Sequence, residues 1–450
     1  MKNNVDFVNG EILRPLIWFT IPIFFTMLLQ LLYGAVDVFI VGRFCEASSV
    51  SAISTGSQLV ITLIFVSGDL IMGTAILLGQ KLGANDEKAA GKVLGSTIFL
   101  FGIMGLVITI FLPIFARQFA MLMNAPYEAL DETILYARIS GLGGVFLVAF
   151  NAFGGIFRGI GDSKTPLMAV GISTIINILG DLILVGYYGK GAAGAAVATV
   201  FAQGISVIIS LYVVRKKGFP FAFNKKDIRF NKVYIMDILR LGIPLALQSG
   251  LVNMSFLVII AIINNLGVLA SAGVGITERL CTFLMLIQIS FSRSVATFTA
   301  YNAGAYKYDR AKKAMIYGAL ISLGFSVIIA AFSFFKGDIL VGLFTKDPLV
   351  IEAGWEYLKS YSIDVVFTGF LFCFIGHLNG LGRTKFTMIQ GIAGAFAIRI
   401  PFSYGMSILM PESLFLIGLA TPMATFFQCG LCLYYIVRMN KKIKKGIPSL

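Results

Sequence analysis

The stretch LLQLLYGAVDVFIVGRF, residues 28–44, places one carboxylate, Asp37, inside a long run of leucine, valine and phenylalanine. The nearest basic residue is Arg43, six positions away, so no neighbouring charge compensates Asp37. An aspartate side chain is too short to reach the membrane surface as lysine and arginine do. A carboxylate in a membrane-spanning helix costs roughly 2.5–3.5 kcal/mol. If this run spans a membrane, Asp37 is therefore expected to face a cavity and to mark a functional pathway.

The composition of the 450-residue chain is that of a polytopic membrane protein. Hydrophobic residues make up 58% of it and charged residues 13%, with a mean hydropathy of +0.88. Soluble domains average about 25% charged residues. Apolar segments of about 20 residues or more, the length that crosses a bilayer, recur twelve times. They lie at 16–41, 53–79, 94–116, 134–157, 166–187, 192–214, 238–263, 271–299, 314–335, 353–378, 386–409 and 414–437.

The basic residues of the loops are divided unevenly between the two sides of the predicted bundle. When the twelve segments alternate in direction, one side carries 26 lysines and arginines, eight of them within 215–240, and the other carries seven. The remaining three, Arg279, Arg293 and Arg399, lie within segments. Cytoplasmic loops are enriched in lysine and arginine. The sequence thus predicts a multi-pass protein of the cell membrane with both termini in the cytoplasm.

An internal duplication relates the two halves of the chain. FRGIGDSKT (157–165) corresponds to LNGLGRTKF (378–386) at an offset of 221, and IPIFFTMLLQ (21–30) corresponds to IPLALQSGLV (243–252) at an offset of 222. Two further matches share these offsets. Because each half has six segments, an even number, the second half enters the membrane from the same side as the first. Such parallel repeats are a recurrent architecture of secondary transporters.

The predicted fold is all-α, with twelve transmembrane helices in two parallel-repeat lobes of six helices each. The basic stretch between the halves is interpreted as a loop that joins them on the cytoplasmic side. The predicted organisation is a cytoplasmic N-terminus (1–14), an N-lobe (15–217), a cytoplasmic linker (218–235), a C-lobe (236–440) and a basic cytoplasmic tail (441–450).

Four polar residues of the first half, Asp37, Asn177, Asp181 and Thr199, form a predicted N-lobe cluster. At 1.5 Å per residue, Asp37 and Asp181 lie roughly 8 Å below the outer end of their segments and Thr199 roughly 12 Å below. Asn177 is one turn deeper than Asp181 on the same helix face. Two carboxylates, an amide and a hydroxyl suit a hard cation, and two interacting carboxylates can share a proton. The alternative is that Asn177 and Thr199 only bond helix backbones and that Asp37 lies at the interface.

The second half carries three charged residues as candidate substrate contacts, Glu278, Asp364 and Arg399. Asp364 and Arg399 are similarly deep and otherwise uncompensated, so the sequence predicts an ion pair between them. A fixed pair would make this lobe structural, whereas a free Asp364 would be a second contact with substrate.

Other residues have a structural interpretation. Asp69 and Arg293 lie at nearly equivalent positions of the two halves and are expected to form an ion pair rather than a coupling site. His377, the only histidine, lies near a helix end, where hydrogen bonding is favoured over a proton relay. The five cysteines lie mostly in apolar runs, and CGLC (429–432) has no second pair or clustered histidine, so metal or redox chemistry is not expected. The net charge of +14 lies in loops and is interpreted as a topology signal, not as a nucleic-acid surface.

Three motifs give the chain a family resemblance. IPIFFTMLLQLLYGAVDVFIVGRF (21–44), RGIGDSKTP (158–166) and NILGD (177–181), the last followed by GAAGAAVAT (191–199), resemble the multidrug and toxic compound extrusion (MATE) family of secondary transporters. The resemblance covers residues 14–440. It implies two six-helix lobes that open alternately outward and inward. It also implies export of bulky, often cationic, organic compounds in exchange for H⁺ or Na⁺.

On this resemblance, the N-lobe cluster matches the cation site of prokaryotic members, with the family's residue type at all four positions. The acid that another branch carries midway along helix 7 is absent here, where the stretch carries Gln248 and Asn253 but no acidic residue. This favours the DinF-like branch over the NorM-like branch. The resemblance implies no cofactor beyond the coupling ion, H⁺ or Na⁺. The expected partners are small organic substrates and membrane lipids, and a monomer is expected.

Three other functions compete with antiport. A lipid-linked oligosaccharide flippase of a related two-lobe fold would want several central basic residues for a diphosphate, whereas the N-lobe cluster is acidic. A membrane-embedded enzyme would need a nucleophile and base or a metal cluster, and the sequence offers no convergent motif. Channel function would not require a two-lobe repeat with paired acids in one lobe.

Overall fold

The computed structural model describes residues 6–444, and the membrane portion of this range is helical. Ten described helices are long and apolar enough to cross a membrane, and two bent helix pairs bring the total to as many as twelve spans, as the sequence predicts. Lys2 and residues 445–450 of the predicted tail lie outside the described residues. The spans are α1 Leu13–Phe44, α2 Ser48–Gly83, α3 Glu87–Leu122, α4 Tyr127–Leu142 with Gly144–Gly159, α5 Lys164–Tyr187, α6 Gly191–Lys217, α7 Lys232–Asn264, α8 Val268–Leu284 with Leu286–Gly304, α9 Tyr308–Gly342, α10 Pro348–Gly380, α11 Thr384–Leu409 and α12 Leu414–Lys441.

Two spans, α4 and α8, are bent, by 56° and 40° respectively. Glycines at the bend of α4 allow close contact with two neighbours. A Cβ on Gly143 would collide with Val200 of α6, and a Cβ on Gly144 would lie 2.7 Å from the side chain of Ile108 of α3. The bend therefore lets one span pack tightly against α6 and α3 at the same level.

Long apolar faces of the helices are exposed. On α3, Leu106, Ile110, Phe111 and Ile114 are each at least 55% exposed. A continuous stripe of this kind would be unfavourable in water but suits the hydrocarbon of a bilayer. The exposed faces therefore support the assignment of these helices as membrane spans.

The loops that follow α4 and α10 have the same backbone conformation. The amide of Gly161 donates to the carbonyl of Arg158, and 221 positions later the amide of Gly382 donates to the carbonyl of Asn379. Both glycines have positive φ, +81° and +76°, which other residues rarely adopt. The same turn at both repeat positions confirms the internal duplication.

The described chain divides into two compact units whose boundaries lie inside helices. Unit 1 is formed by Ile21–Ala246, and unit 2 by Phe7–Thr20 together with the chain from Leu247 onward. The first part of α1 thus belongs to unit 2, and the first part of α7 to unit 1. Each division lies beside a proline inside the helix, Pro22 or Pro244, and these two prolines are 222 residues apart.

The stretch between α6 and α7 packs onto unit 1. Phe221 is 6% exposed and belongs to the same apolar cluster as Leu94 of α3. A Cβ on Gly91 of α3 would lie 2.6 Å from the carbonyl oxygen of Ala222, so this glycine allows the two backbones to touch. The stretch is therefore part of the body of unit 1 and not a free tether.

Each unit has its own apolar core, and the core of unit 1 supports the helix that carries Asp37. Ile40 and Val41 of α1 are 5% and 0% exposed. Val41 lies one turn beyond Asp37 on the same helix face. In unit 2, Ile259 and Ile263 of α7 are buried in the corresponding way.

Valine in place of Gly73 of α2 should destabilise unit 1. A Cβ at Gly73 would lie 2.6 Å from the carbonyl oxygen of Ile238 and 2.7 Å from the amide nitrogen of Gly242, both on α7. Neither backbone atom can move without displacing a helix. The overpacking should cost about 1–3 kcal/mol of unfolding free energy. Thermal unfolding of the purified variant should show this as a lowered Tm.

The matched control is Gly102→Val, because a Cβ on Gly102 of α3 would have nothing within 4 Å and the residue is exposed. This variant should unfold at the wild-type temperature. Equal Tm values for the two variants would contradict the close packing of α2 and α7.

Candidate functional site

The four residues of the N-lobe cluster meet inside unit 1. Asp37 lies on α1, Asn177 and Asp181 on α5 and Thr199 on α6, and none is more than 6% exposed. The Thr199 hydroxyl donates to Oδ2 of Asp37 at 3.3 Å. Asp37 is also close enough to interact with the side chains of Asn177 and Asp181. The structure thus brings all four predicted residues together.

Most polar atoms of the cluster have no hydrogen-bonding partner among residues 6–444. They are Oδ1 of Asp37, both carboxylate oxygens of Asp181 and both ends of the Asn177 amide. Leaving a buried polar atom without a partner is costly, and most buried polar atoms in proteins have one. Four of these five atoms are oxygens. The cluster is therefore suited to a ligand that contributes positive charge or hydrogen-bond donors.

The backbone of α5 departs from a regular α-helix next to this cluster. Asp181 ends the α-helical part, and Leu182–Tyr187 continue as a π-helix. Such π turns are frequent at functional sites. A Cβ on Gly180 would lie 2.9 Å from the Cβ of Ala198, so this glycine lets α5 approach α6 closely. The two features place Asp181 beside the helix that carries Thr199.

Two tyrosines that the sequence analysis does not single out line the same cluster. The Tyr33 hydroxyl donates to the backbone carbonyl of Thr199 at 3.3 Å. Tyr136 of α4 is 3% exposed and lies within electrostatic range of Asp37 and Asp181. The spacing of Tyr33 and Asp37, one helical turn, is a signal that points to Tyr33. No local pattern points to Tyr136, because its proximity to Asp37 and Asp181 depends on how α4 packs.

The donor set suits a proton or a hard cation such as Na⁺, which binds carboxylate, amide and hydroxyl oxygens. Asp37 and Asp181 would supply charge, and Asn177 and Thr199 neutral oxygens. Residues 6–444 hold no group of three or more histidine, cysteine, aspartate or glutamate side chains arranged for a metal ion. The site therefore rests on two carboxylates supplemented by neutral oxygens.

In unit 2, Glu278 of α8 is held by two tyrosines of α10. The Tyr361 hydroxyl donates to Oε1 of Glu278 at 2.7 Å, and the Tyr357 hydroxyl lies 3.5 Å from the same oxygen. Both tyrosines are fully buried. Hydrogen bonds to an ionised carboxylate are stronger than neutral ones, so these contacts fix the position of Glu278.

The predicted ion pair between Asp364 and Arg399 is wrong. Nη1 of Arg399 donates to the Ser255 hydroxyl of α7 at 3.2 Å, and its guanidinium lies over the Phe256 ring, 4.3 Å from the centroid. No salt bridge joins Arg399 to Asp364 in the part of the chain that the structure describes, and Nε of Arg399 and Oδ1 of Asp364 have no partner there. The prediction used depth alone, which does not fix the direction in which a side chain leaves its helix. The two charges still interact at longer range.

Residues of unit 2 occupy the repeat positions of the N-lobe cluster. At an offset of 222, Arg399 corresponds to Asn177, and Thr421 corresponds to Thr199. Thr421 is buried, and its hydroxyl has no hydrogen-bonding partner among residues 6–444. The second lobe therefore places a permanent cation where the first lobe has a neutral amide.

Three further residues have other surroundings. Asp69 of α2 lies in unit 1 and Arg293 of α8 in unit 2, each has an interaction partner, and the predicted ion pair between them stays a prediction. His377 of α10 is buried, with Nδ1 3.2 Å from the Thr299 hydroxyl. This contact favours the interpretation of His377 as a hydrogen-bonding residue near a helix end.

Up to twelve spans in two repeated halves, with a buried polar cluster in the first half, define the class of secondary membrane transporters. A family model described as MatE matches residues 22–183 and again residues 244–405. The chain therefore belongs to the MatE family, and the two matches are displaced by the same 222 residues as the internal repeat. The resemblance to MATE transporters is confirmed.

Relatives and solved structures agree with this assignment. The chain is 26% identical over 414 residues to the probable multidrug resistance protein YoeA of Bacillus subtilis, covering 88% of each chain. It is also 26% identical over 398 residues to the multidrug export protein MepA of Staphylococcus aureus, again covering 88% of each. A crystal structure of MATE in complex with MaL6 superimposes with a TM-score of 0.93, covering 99% of this chain and 100% of that chain. Its sequence identity of 20% limits this likeness to the two-lobe fold.

Valine in place of Thr199 should weaken transport without unfolding the protein. The substitution keeps the shape of the side chain and removes the hydroxyl that donates to Asp37. The loss of one hydrogen bond should slow substrate efflux by about threefold to tenfold. Initial rates of efflux from liposomes that contain equal amounts of protein measure the change.

Thr74→Val is the matched control, since Thr74 is a buried threonine of unit 1 whose hydroxyl pairs with that of Thr97, 3.2 Å away. Its removal should lower the Tm and leave the rate per folded molecule unchanged. Equal rates for the Thr199 variant and the control would show that the Thr199 hydroxyl has no role in transport.

Proposed function

We propose that this protein is a secondary antiporter that exports organic, cationic or amphiphilic compounds in exchange for H⁺ or Na⁺. The observation that carries the proposal is the buried pair Asp37 and Asp181, whose oxygens lack partners among residues 6–444. Membership of the MatE family and the names of YoeA and MepA support multidrug efflux as the activity. The absence of an acid midway along α7 further supports placement in the DinF-like branch.

The coupling follows from one site with two competing occupants. An ionised Asp37 and Asp181 attract a cationic substrate. When a proton or Na⁺ enters, it neutralises the carboxylates, removes this attraction and lets the substrate leave outward. Each occupant shifts the conformational equilibrium only by its difference in affinity between the inward-open and outward-open states.

The membrane potential supplies part of the driving force. One positive charge that enters a cell with a negative interior gains about 2.3 kcal/mol per 100 mV. An ion exchanged for an uncharged substrate gains this energy in full, whereas a one-for-one exchange with a monovalent cation moves no net charge and is driven by the concentration gradient of the ion alone. The uneven division of basic loop residues supports an orientation with both termini in the cytoplasm of a cell-membrane protein.

In the second lobe, Glu278 and Asp364 are proposed to contact substrate and not the coupling ion. Arg399 interacts with both carboxylates at long range. A fixed cation that shares their surroundings opposes the binding of a small coupling ion. Glu278, held by Tyr361, presents a carboxylate in a constant position against which a large cation can be oriented.

A flippase for lipid-linked oligosaccharides is the competing function. A diphosphate head group would be attracted to Arg399, the positive member of the three second-lobe charges. The acidic N-lobe cluster would repel it. Substrate-dependent movement of protons or sodium in vesicles supports the antiporter and not the flippase. Transfer of a fluorescent lipid-linked sugar without ion movement would support the flippase.

Asparagine at position 37 or 181 should abolish gradient-driven efflux and leave the protein folded. It mimics the protonated carboxylate in shape and removes both charge and titration. Purified protein in liposomes, with dye efflux measured against separate proton and sodium gradients, also identifies the coupling ion. Each variant should fall to the rate of leakage from protein-free liposomes.

Asp131→Asn is the control, because Asp131 is an exposed acid in the first turn of a helix of α4. It should transport at the wild-type rate. Wild-type efflux from both the Asp37 and Asp181 variants would end the hypothesis. If Asp37→Asn lowered only stability and preserved efflux per folded molecule, the carboxylate would be structural.

Glutamine in place of Glu278 should raise KM for a cationic substrate and leave ion coupling intact. Loss of the charge removes one attraction for the substrate, and interactions with charged groups contribute about 1.5–3 kcal/mol. An increase in KM of about tenfold or more is therefore expected, with an unchanged number of ions per substrate. Glu352→Gln, an exposed acid at the start of α10, should change neither. A change in the ion-to-substrate ratio would assign Glu278 to coupling instead.

A further inference from the structure

A short segment before α1, residues 7–11, is held on unit 2 by one arginine of α9. Arg310 donates from Nε to the carbonyl of Phe7 at 3.1 Å and from Nη1 to that of Gly10 at 2.6 Å. Its Nη2 donates to the carbonyls of Asn9 and Glu11, both at 2.9 Å. One guanidinium thus binds four carbonyls, and we call residues 7–11 the N-terminal strap.

Two further side chains of unit 2 also bind the strap through hydrogen bonds. Nζ of Lys307 donates to the carbonyl of Val8 at 3.1 Å and to Oδ1 of Asn9 at 2.8 Å. The amide nitrogen of the Asn302 side chain donates to the carbonyl of Phe7 at 2.9 Å. Hydrogen bonds from charged donors are stronger than neutral ones, so the strap is attached mainly by two cations.

The Phe7 side chain is the apolar anchor of the strap. It is 2% exposed and lies among three aromatic rings. Ring centroids are 5.1 Å away for Phe19 of α1, 5.4 Å for Phe298 and 5.0 Å for Tyr301, the last two on α8. The contacts with Phe19 and Phe298 are edge-to-face, the preferred aromatic arrangement.

The helix that follows the strap is shared by both units. Phe7–Thr20 belong to unit 2, whereas the chain from Ile21, including Asp37, belongs to unit 1. Alternating access, the mechanism proposed above, moves the two lobes relative to each other. Since α1 is continuous, it can follow this motion either by bending at Pro22, between its two attachments, or by changing its neighbours at one of them.

Most polar contacts of the strap can be released at low cost, and the buried Phe7 is the contact that keeps it attached. The polar contacts of Lys307, and those of Arg310 with Asn9, Gly10 and Glu11, lie at the exposed surface, where water can replace them. Asp37 and its neighbour Val41, in contrast, are enclosed in the core of unit 1.

We propose that the N-terminal strap is a releasable latch, which holds the first part of α1 on unit 2 and must detach once in each transport cycle. The proposal rests on alternating access and on the cytoplasmic orientation of the N-terminus. It explains why a segment without regular secondary structure is bound by three separate polar side chains and one buried aromatic ring.

A reversible cross-link tests the latch. Asn9→Cys and Lys307→Cys replace two side chains that touch at 2.8 Å, in a full-length chain whose five native cysteines are replaced by serine or alanine. A short bis-methanethiosulfonate reagent joins the pair, and mass spectrometry gives the linked fraction. Gradient-driven efflux should fall in proportion to this fraction and recover on reduction.

The same reagent on Glu356→Cys with Ser413→Cys is the control, since these side chains, 3.0 Å apart, also lie within unit 2. That link should leave efflux unchanged. Undiminished efflux from the fully linked strap would overturn the latch. If the unlinked protein showed no gradient-driven efflux, the antiport proposal itself would have failed, so the two failures are distinguishable.

The Phe7→Ala variant gives a second, independent test of the latch. Weakening the latch should raise the fraction of molecules open to the cytoplasm, and the apparent affinity for a ligand follows the fraction of the competent state. KM for ethidium added to the cytoplasmic side of inside-out vesicles should fall by up to about tenfold, because a buried aromatic anchor is lost. A merely structural role of Phe7 would reduce the amount of active protein and leave KM unchanged, which would contradict the proposal.

Discussion

The enclosure of two carboxylates within a bundle of membrane helices is the constraint around which unit 1 is built. Asp37 and Asp181 are 6% and 0% exposed, and among residues 6–444 the one hydrogen bond that either carboxylate accepts comes from the Thr199 hydroxyl. A carboxylate so far from water is tolerable only near positive charge or when protonated. The electrostatic free energy of the two carboxylates therefore depends on what occupies the site. A proton, a sodium ion or a cationic substrate would each reduce this electrostatic cost, and the proposed exchange rests on that shared effect.

The internal duplication shows that the second lobe keeps the fold but lacks acids at the repeat positions of Asp37 and Asp181. At the offset of 222, Asp37 becomes Ile259, Asp181 becomes Ser403 and Asn177 becomes Arg399. The acids are replaced by uncharged residues, and the amide is replaced by a permanent cation. Glu278 and Asp364 restore negative charge from other helices, within electrostatic range of Arg399. Within the described part of the chain, the same backbone thus supports a buried pair of acids without a nearby cation in one half and acids that share their surroundings with Arg399 in the other.

The sequence predicted those features that depend on distance along the chain. Hydropathy located the ten long spans and the two bent pairs, the repeat offset predicted the duplication, and helix rise placed Asp37, Asp181 and Thr199 in the outer half of the first lobe. Distance along the chain could not predict features that depend on packing or on the direction in which a side chain leaves its helix. The Asp364–Arg399 ion pair failed because equal depth does not imply facing side chains. Tyr136 was missed because its contact with the cluster arises from how α4 packs.

The boundaries between the units explain how binding at one site can be felt elsewhere. Loops that connect two compact bodies would let each move without affecting the other. Here the boundaries fall inside α1 and α7, beside Pro22 and Pro244, so each unit includes the first part of a helix that continues into its partner. Proline has no backbone N–H for the helix ladder, so Pro22 and Pro244 mark the points at which these two helices can bend while the chain stays continuous. Under the proposed antiport mechanism, a change of charge at Asp37 acts on a helix whose first part belongs to unit 2, and this continuity would couple ion binding to alternating access.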